Sequence, residues 1–232
     1  MYFDPTYLLF AIPAFILSSL ATFYLKTTFS KYSKVSSYSG LTGAQAADQM
    51  LRASGVNNVR IEHVNGFLSD HYDPSTNTLR LSDAVYDSQS LAALGVACHE
   101  AGHALQKASH YGLMGLRTLL VIPTNLGQKF SYVLIVAGAL MHAPILINLG
   151  LICFSTAFVF SVVTLPVEWN ASSRAKKALV DAGILQPSER EHAGTVLNAA
   201  FLTYVAGAAS SLATLLYYLV RFGVIGGGRR RN

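Results

Sequence analysis

The chain has 232 residues, a formal net charge of +5, an apolar fraction of 52% and only 12% charged residues, against about 25% in an ordinary soluble domain. A chain so poor in charge needs a large buried core or lipid around it, and the long apolar runs favour lipid. Nucleic acid is not expected as a partner: Arg221, Arg229, Arg230 and Arg231 sit at the C-terminal end, the other basic residues flank apolar segments, and no basic groove interleaved with aromatics is visible.

Tyr7 to Leu25 is apolar and carries no charge until Lys26, which predicts a first membrane helix. It has no basic leader and its flanking charge follows the apolar run, so a retained span is expected rather than a signal peptide. Residues 26–112 are mixed and polar. Thr42 with Gln45 reads as a capping box opening a helix that should end near Gly55. Three strands are predicted, Val59 to Val64, Phe67 to Tyr72 and Thr78 to Ser82, with a turn over Asp73, Pro74, Ser75, Thr76 and Asn77. Ser90 to Lys107 reads as a helix started by Ser88 or Ser90.

Leu119 to Met141 is a second span, interrupted by Pro123, Asn125, Gln128 and Lys129, and Ile145 to Leu165 a cleaner third. Pro166 is expected to kink the chain or open a new helix towards Val180, with Gly183 as its stop. After the polar stretch Pro187 to His192, the fourth span is Phe201 to Phe222, followed by Gly226, Gly227, Gly228 and the arginines. The fold class expected is therefore a mainly α membrane protein, with about four transmembrane helices plus a small α+β unit. The expected divisions are 1–25, the first transmembrane helix; 26–112, the soluble α+β segment; 113–165, a two-span hairpin; 166–200, a helix following the third span; and 201–232, the fourth span and basic tail.

The chemistry is concentrated in His99-Glu100-Ala101-Gly102-His103, an H-E-x-x-H pattern. Residues four apart on a helix share a face, so two imidazoles can converge on one zinc ion at about 2.0–2.1 Å each. Glu100 is turned aside from that point and suits a general base, taking a proton from water and passing it to the leaving amine. Cys98 reads as a packed thiol, Cys153 lies in an apolar run, and no disulfide framework is expected. For a third ligand Glu168 stands out, directly after the third span, with Ala171 and Ala175 forming a smooth face that can press against the His99–His103 helix. An acid there can also simply sit at the lipid interface. Two spans separate His103 from Glu168, so the chain crosses and returns. Lys26, Lys31, Lys34, Lys107, Arg117, Arg174, Lys176 and Lys177 fall on that same side, which the positive-inside rule makes cytoplasmic. The terminal arginines disagree with that assignment.

At these residues the chain resembles the YugP-like neutral zinc metallopeptidases of bacterial membranes. The resemblance runs through Ser69-Asp70-His71-Tyr72-Asp73-Pro74, Leu79-Arg80-Leu81-Ser82, Ala97 to Gln106, and Leu165-Pro166-Val167-Glu168 with Ala171, Ser172 and Arg174. It implies a zincin-like catalytic unit in the α+β segment and zinc-dependent peptide hydrolysis at a gluzincin-type site, with a glutamate as third ligand, in a bacterial plasma membrane. The chain also looks distantly like the HtpX and Ste24 membrane peptidases, which often carry an aspartate four residues after the ligand glutamate; here that position is Ser172. In gluzincin-like sites an edge strand above the zinc helix pairs with substrate, and Leu68 to Tyr72 or Leu79 to Ser82 could supply it or form a plain structural hairpin. Tyr204 is a candidate oxyanion donor or an interfacial tyrosine, and His71 reads as a structural hydrogen bonder.

The function expected is a membrane-bound zinc metallopeptidase acting on peptide or protein substrates. An intramembrane zinc protease would place the H-E-x-x-H helix inside an apolar span; a non-catalytic membrane adaptor would close a structural zinc site with a fourth protein ligand. The sequence is silent on substrate identity and oligomeric state.

Overall fold

The structure is a computed structural model that describes residues 4–66 and 68–225. Its elements are α1 (Pro5–Tyr32), α2 (Gly43–Ala53), β1 (Arg60–Val64), β2 (His71–Asp73), β3 (Thr78–Ser82), α3 (Leu91–Ala108), α4 (Gly112–Leu140), α5 (Pro144–Asp181) and α6 (Pro187–Arg221). The chain divides into two compact units, one of Met1–Ala21, Leu116–Leu165 and Thr203–Asn232, the other of Thr22–Gly115 and Pro166–Leu202. The triglycine and terminal arginines of the expected basic tail lie outside the described residues, as does Phe67.

The first unit holds the most apolar stretches of α1, α4, α5 and α6, four helices long and apolar enough to cross a membrane. Large side chains such as Leu9, Phe15, Leu119, Ile122, Ile145 and Ile152 are exposed along them, an outward apolar surface that lipid would cover. The protein is a mainly helical membrane protein. Within this unit α4 and α5 pack through a small-residue contact: a Cβ at Gly127 would lie 2.6 Å from the Cys153 carbonyl oxygen. Where lipid removes the hydrophobic drive between helices, such close approach supplies the packing. Asp4 accepts from the Thr6 backbone N–H and the Tyr217 hydroxyl, and pairs with Arg221 at 3.2 Å. The end of α6 therefore sits beside the start of α1.

Local signals account for the second unit. Thr42 and Gln45 form the expected capping box, and α2 stops before Gly55, whose φ is +76°. Ser90 is the N-cap of α3, its hydroxyl accepting from the Ala93 N–H at 3.2 Å. The sheet has the order β1-β3-β2, with β1 parallel and β2 antiparallel to β3. The β2–β3 connection is tied by Asp73, which accepts from the Ser75 N–H and the Ser75 and Thr76 hydroxyls. Leu79 and Leu81 of the central strand are fully buried in a core shared with Met50, Leu94, Val167 and Leu197.

Two expectations need correction. The second strand is only His71–Asp73, because Gly66 and Leu68 have positive φ and break the extended backbone before it. Asp70 then leaves the strand path and its carboxylate accepts from the Ser82 N–H and hydroxyl. Of the two outcomes expected at Pro166, a kink or a new helix, the new helix does not form: α5, 38 residues long, runs through it. A proline costs a helix one ladder bond, and neighbouring groups in a packed membrane helix can absorb that loss.

Candidate metal centre

The site belongs to the second unit and is built on two helices. On α3 the four-residue spacing stacks His99 above His103, with ring centroids 4.9 Å apart in an edge-to-face arrangement. Glu168, from the part of α5 beyond Pro166, meets them: its Oε2 is 3.2 Å from His99 Nε2 and 3.5 Å from His103 Nε2. All three side chains are buried, Glu168 to 1% exposure. One ligand atom from each lies within 4.8 Å of the others, so the group could hold a metal ion. Ligands at about 2.0–2.1 Å in a tetrahedral array stand roughly 3.3–3.4 Å apart, close to both imidazole–carboxylate separations. Two neutral imidazoles and one carboxylate also form a donor set that suits zinc. The residues fit the ion.

What lets the two helices meet is Gly102. A Cβ there would lie 2.7 Å from the Ala171 carbonyl oxygen and 3.3 Å from its Cα, so α3 and α5 touch backbone to backbone beside His99, His103 and Glu168. The smooth face anticipated at Ala171 and Ala175 is fully buried.

The ring nitrogens facing away from Glu168 have partners. His99 Nδ1 is 3.1 Å from the Ser172 hydroxyl, and His103 Nδ1 is 2.9 Å from Gln106 Oε1. Gln106 Nε2 donates to the Val167 carbonyl at 2.7 Å and to Asn170 Oδ1 at 3.0 Å. Gln106 and Asn170 had no assigned role in the sequence reading. A signal was present, since Gln106 is a polar residue on the buried stretch of α3, three positions after His103.

Glu100 is partly buried, and its Oε2 accepts from the Tyr72 backbone N–H of edge strand β2 at 3.1 Å. Burial pushes its carboxyl up, and the negative charges of Glu168 and Asp70 add to that, against the opposing effect of the two histidines. For His103, burial works downward, but the hydrogen bond and charge of Glu168 outweigh it and hold the imidazole up. Cys98 is buried, as read, and burial pushes its thiol well up. His71 is exposed on β2, its Nδ1 2.8 Å from the Ser69 carbonyl, in keeping with a structural role. Tyr204 falls in the other unit, on α6.

Comparison with known proteins agrees with this chemistry. A family described as "Putative neutral zinc metallopeptidase" matches residues 7–223. The "Putative membrane protease YugP" of Bacillus subtilis (strain 168) is 44% identical over 216 residues, covering 93% of this chain and 96% of the relative. No solved structure matches significantly. Family and donor set together make zinc the metal of this protein, and the chain belongs to the neutral zinc metallopeptidase family.

Proposed function

We propose that the protein is a membrane-bound zinc metalloendopeptidase of gluzincin type, with His99, His103 and Glu168 as zinc ligands and Glu100 as general base. The observation that carries this reading is the buried convergence of the three ligand atoms beside Glu100. Zinc at such a site supplies Lewis acidity towards the scissile carbonyl and towards water. The chain's own carboxylate does the proton work. Glu100 takes a proton from the attacking water as its oxygen bonds to the carbonyl carbon, then delivers it to the amine nitrogen as the C–N bond breaks.

Among the described residues the group numbers three, which leaves a coordination position open and favours catalysis over a closed structural site. The helix α3 is not among the four candidate spans, which speaks against cleavage within the bilayer. Residues 26–112 with 166–200 are read as a zincin-like catalytic part, and 1–25, 113–165 and 201–232 as its membrane anchor, in broad accord with the two compact units. The site side is assigned to the cytoplasm of a bacterial plasma membrane, from the lysines and arginines after the first and third spans. The Asp4–Arg221 pair supports a fourth helix that returns to the side where the first begins, with Arg221 neutralised there.

Glu100→Gln tests the catalytic role. The variant is expected to retain stoichiometric zinc and lose peptide hydrolysis by at least about 100-fold; hydrolysis at the wild-type rate rejects the role.

A further inference from the structure

Gln106 is a side-chain amide on α3 that bridges to α5 directly beside the candidate metal group. Its orientation follows from its partners. The Val167 carbonyl can only accept, so the nitrogen of Gln106 must face it. Asn170 Oδ1 accepts from Arg174 Nε at 2.8 Å; a guanidinium can only donate, so that oxygen is fixed as well. Both contacts point Gln106 Nε2 at α5. Its Oε1 is left facing His103 Nδ1 at 2.9 Å. An amide oxygen only accepts, so Nδ1 must carry the proton, and the lone pair of a neutral imidazole then lies on Nε2. That nitrogen is the one 3.5 Å from Glu168 Oε2.

We propose that Gln106 is a positioning residue that sets the tautomer of His103 for zinc and ties this setting to the seating of the Glu168 helix. The backbone it grips, Val167, directly precedes Glu168, so one side chain fixes the proton on one ligand and the position of another. Gln106 is fully buried and belongs to neither the H-E-x-x-H pattern nor the ligand set. His99 has a looser arrangement: its Nδ1 partner is the Ser172 hydroxyl, which can donate or accept and so does not dictate a tautomer. The asymmetry makes His103 the preset ligand of the pair.

This inference rests on the reading of His99, His103 and Glu168 as zinc ligands. The test is zinc affinity by competition with a chromophoric chelator, on the detergent-purified full chain, for wild type, Gln106→Met and Gln106→Glu. Methionine keeps the bulk and removes the acceptor, whereas glutamate keeps an oxygen that can accept from Nδ1. Gln106→Met is expected to bind zinc about 10–100-fold more weakly, the usual cost of losing such an outer partner, and Gln106→Glu to fall between wild type and Gln106→Met, because it keeps the acceptor for Nδ1 and loses the donor to the Val167 carbonyl. A second readout is nitrogen-15 spectra of the zinc-loaded wild type, in which the His103 Nδ1 proton is expected to be protected from exchange. Wild-type affinity in Gln106→Met, or equal losses in both variants, overturns the proposal. Should Gln106→Met fail to fold, the spectrum decides: an unprotected Nδ1 proton, or ligation through Nδ1, overturns it. A wild type that binds no zinc sinks the ligand assignment itself, a distinct failure.

Discussion

Replacing Gly102 with alanine probes the contact that brings His99, His103 and Glu168 together. The added Cβ would stand 2.7 Å from the Ala171 carbonyl oxygen, whereas ordinary contact begins at 3.4 Å, so about 0.7 Å of separation must be found. The obstacle is backbone rather than a flexible side-chain tip, so α3 and α5 must part. Zinc–ligand distances tolerate only about 0.2 Å, so a shift of this size separates Glu168 from the two histidines. Overpacking of this kind costs roughly 1–3 kcal/mol of stability, and zinc affinity should fall by about 100-fold or more, beyond what an outer partner contributes. Gly95→Ala is the matched control on the same helix. Its Cβ would meet the Ala193 backbone oxygen at 3.5 Å, an ordinary contact, so it should be neutral or stabilising by about 0.5–1 kcal/mol through helix propensity. Chelator competition and thermal melting of both variants are the assays. If Gly102→Ala holds zinc as tightly as Gly95→Ala does, the backbone contact does not set the site.

Other outcomes follow from the same structure. Stripping zinc with a chelator should lower the melting temperature, because the proposed ligand set joins α3 to α5 through the ion; zinc at 1,000 times its dissociation constant is worth about 4 kcal/mol, and unchanged melting would separate the metal from the fold. Hydrogen bonds from Ser75 and Thr76 hold the Asp73 carboxyl well below its usual range. A depressed folded-state pKa contributes stability above the unfolded value of about 3.9, lost as pH falls through the folded one. The melting gap between wild type and Asp73→Asn should therefore narrow from pH 7 to about pH 3; a gap that widens contradicts the role given to the turn. A cysteine introduced at Ser39 and one at His142 should label from opposite faces of intact membranes, since one span lies between them in the four-helix arrangement; labelling from a single face breaks that topology.

Some of this was legible in the sequence because it is local. The capping box at Thr42, the cap at Ser90 and the four-residue histidine spacing each follow from side chains within a few positions of one another. The four apolar stretches were readable because lipid imposes length and composition on a crossing helix. Glu168 could be nominated from its place after the third span, but its 3.2 Å approach to His99 depends on two helices packing across 69 residues of chain. The Gly102–Ala171 contact and the Gln106 clasp were hidden for the same reason, since neither partner announces the other. The second strand is shorter than the sequence predicts because nothing in residues 67–72 signals the positive φ at Leu68.

The most direct measurement is zinc content and zinc-edge X-ray absorption of purified wild type beside Glu168→Ala. The expected result is one zinc per chain, held at about 2.0–2.1 Å by two imidazoles, a carboxylate oxygen and one further light atom, with the carboxylate contribution and most of the metal lost in the variant. A wild type without zinc, or a variant whose zinc shell is unchanged, contradicts the convergence of α3 and α5 on a common ion.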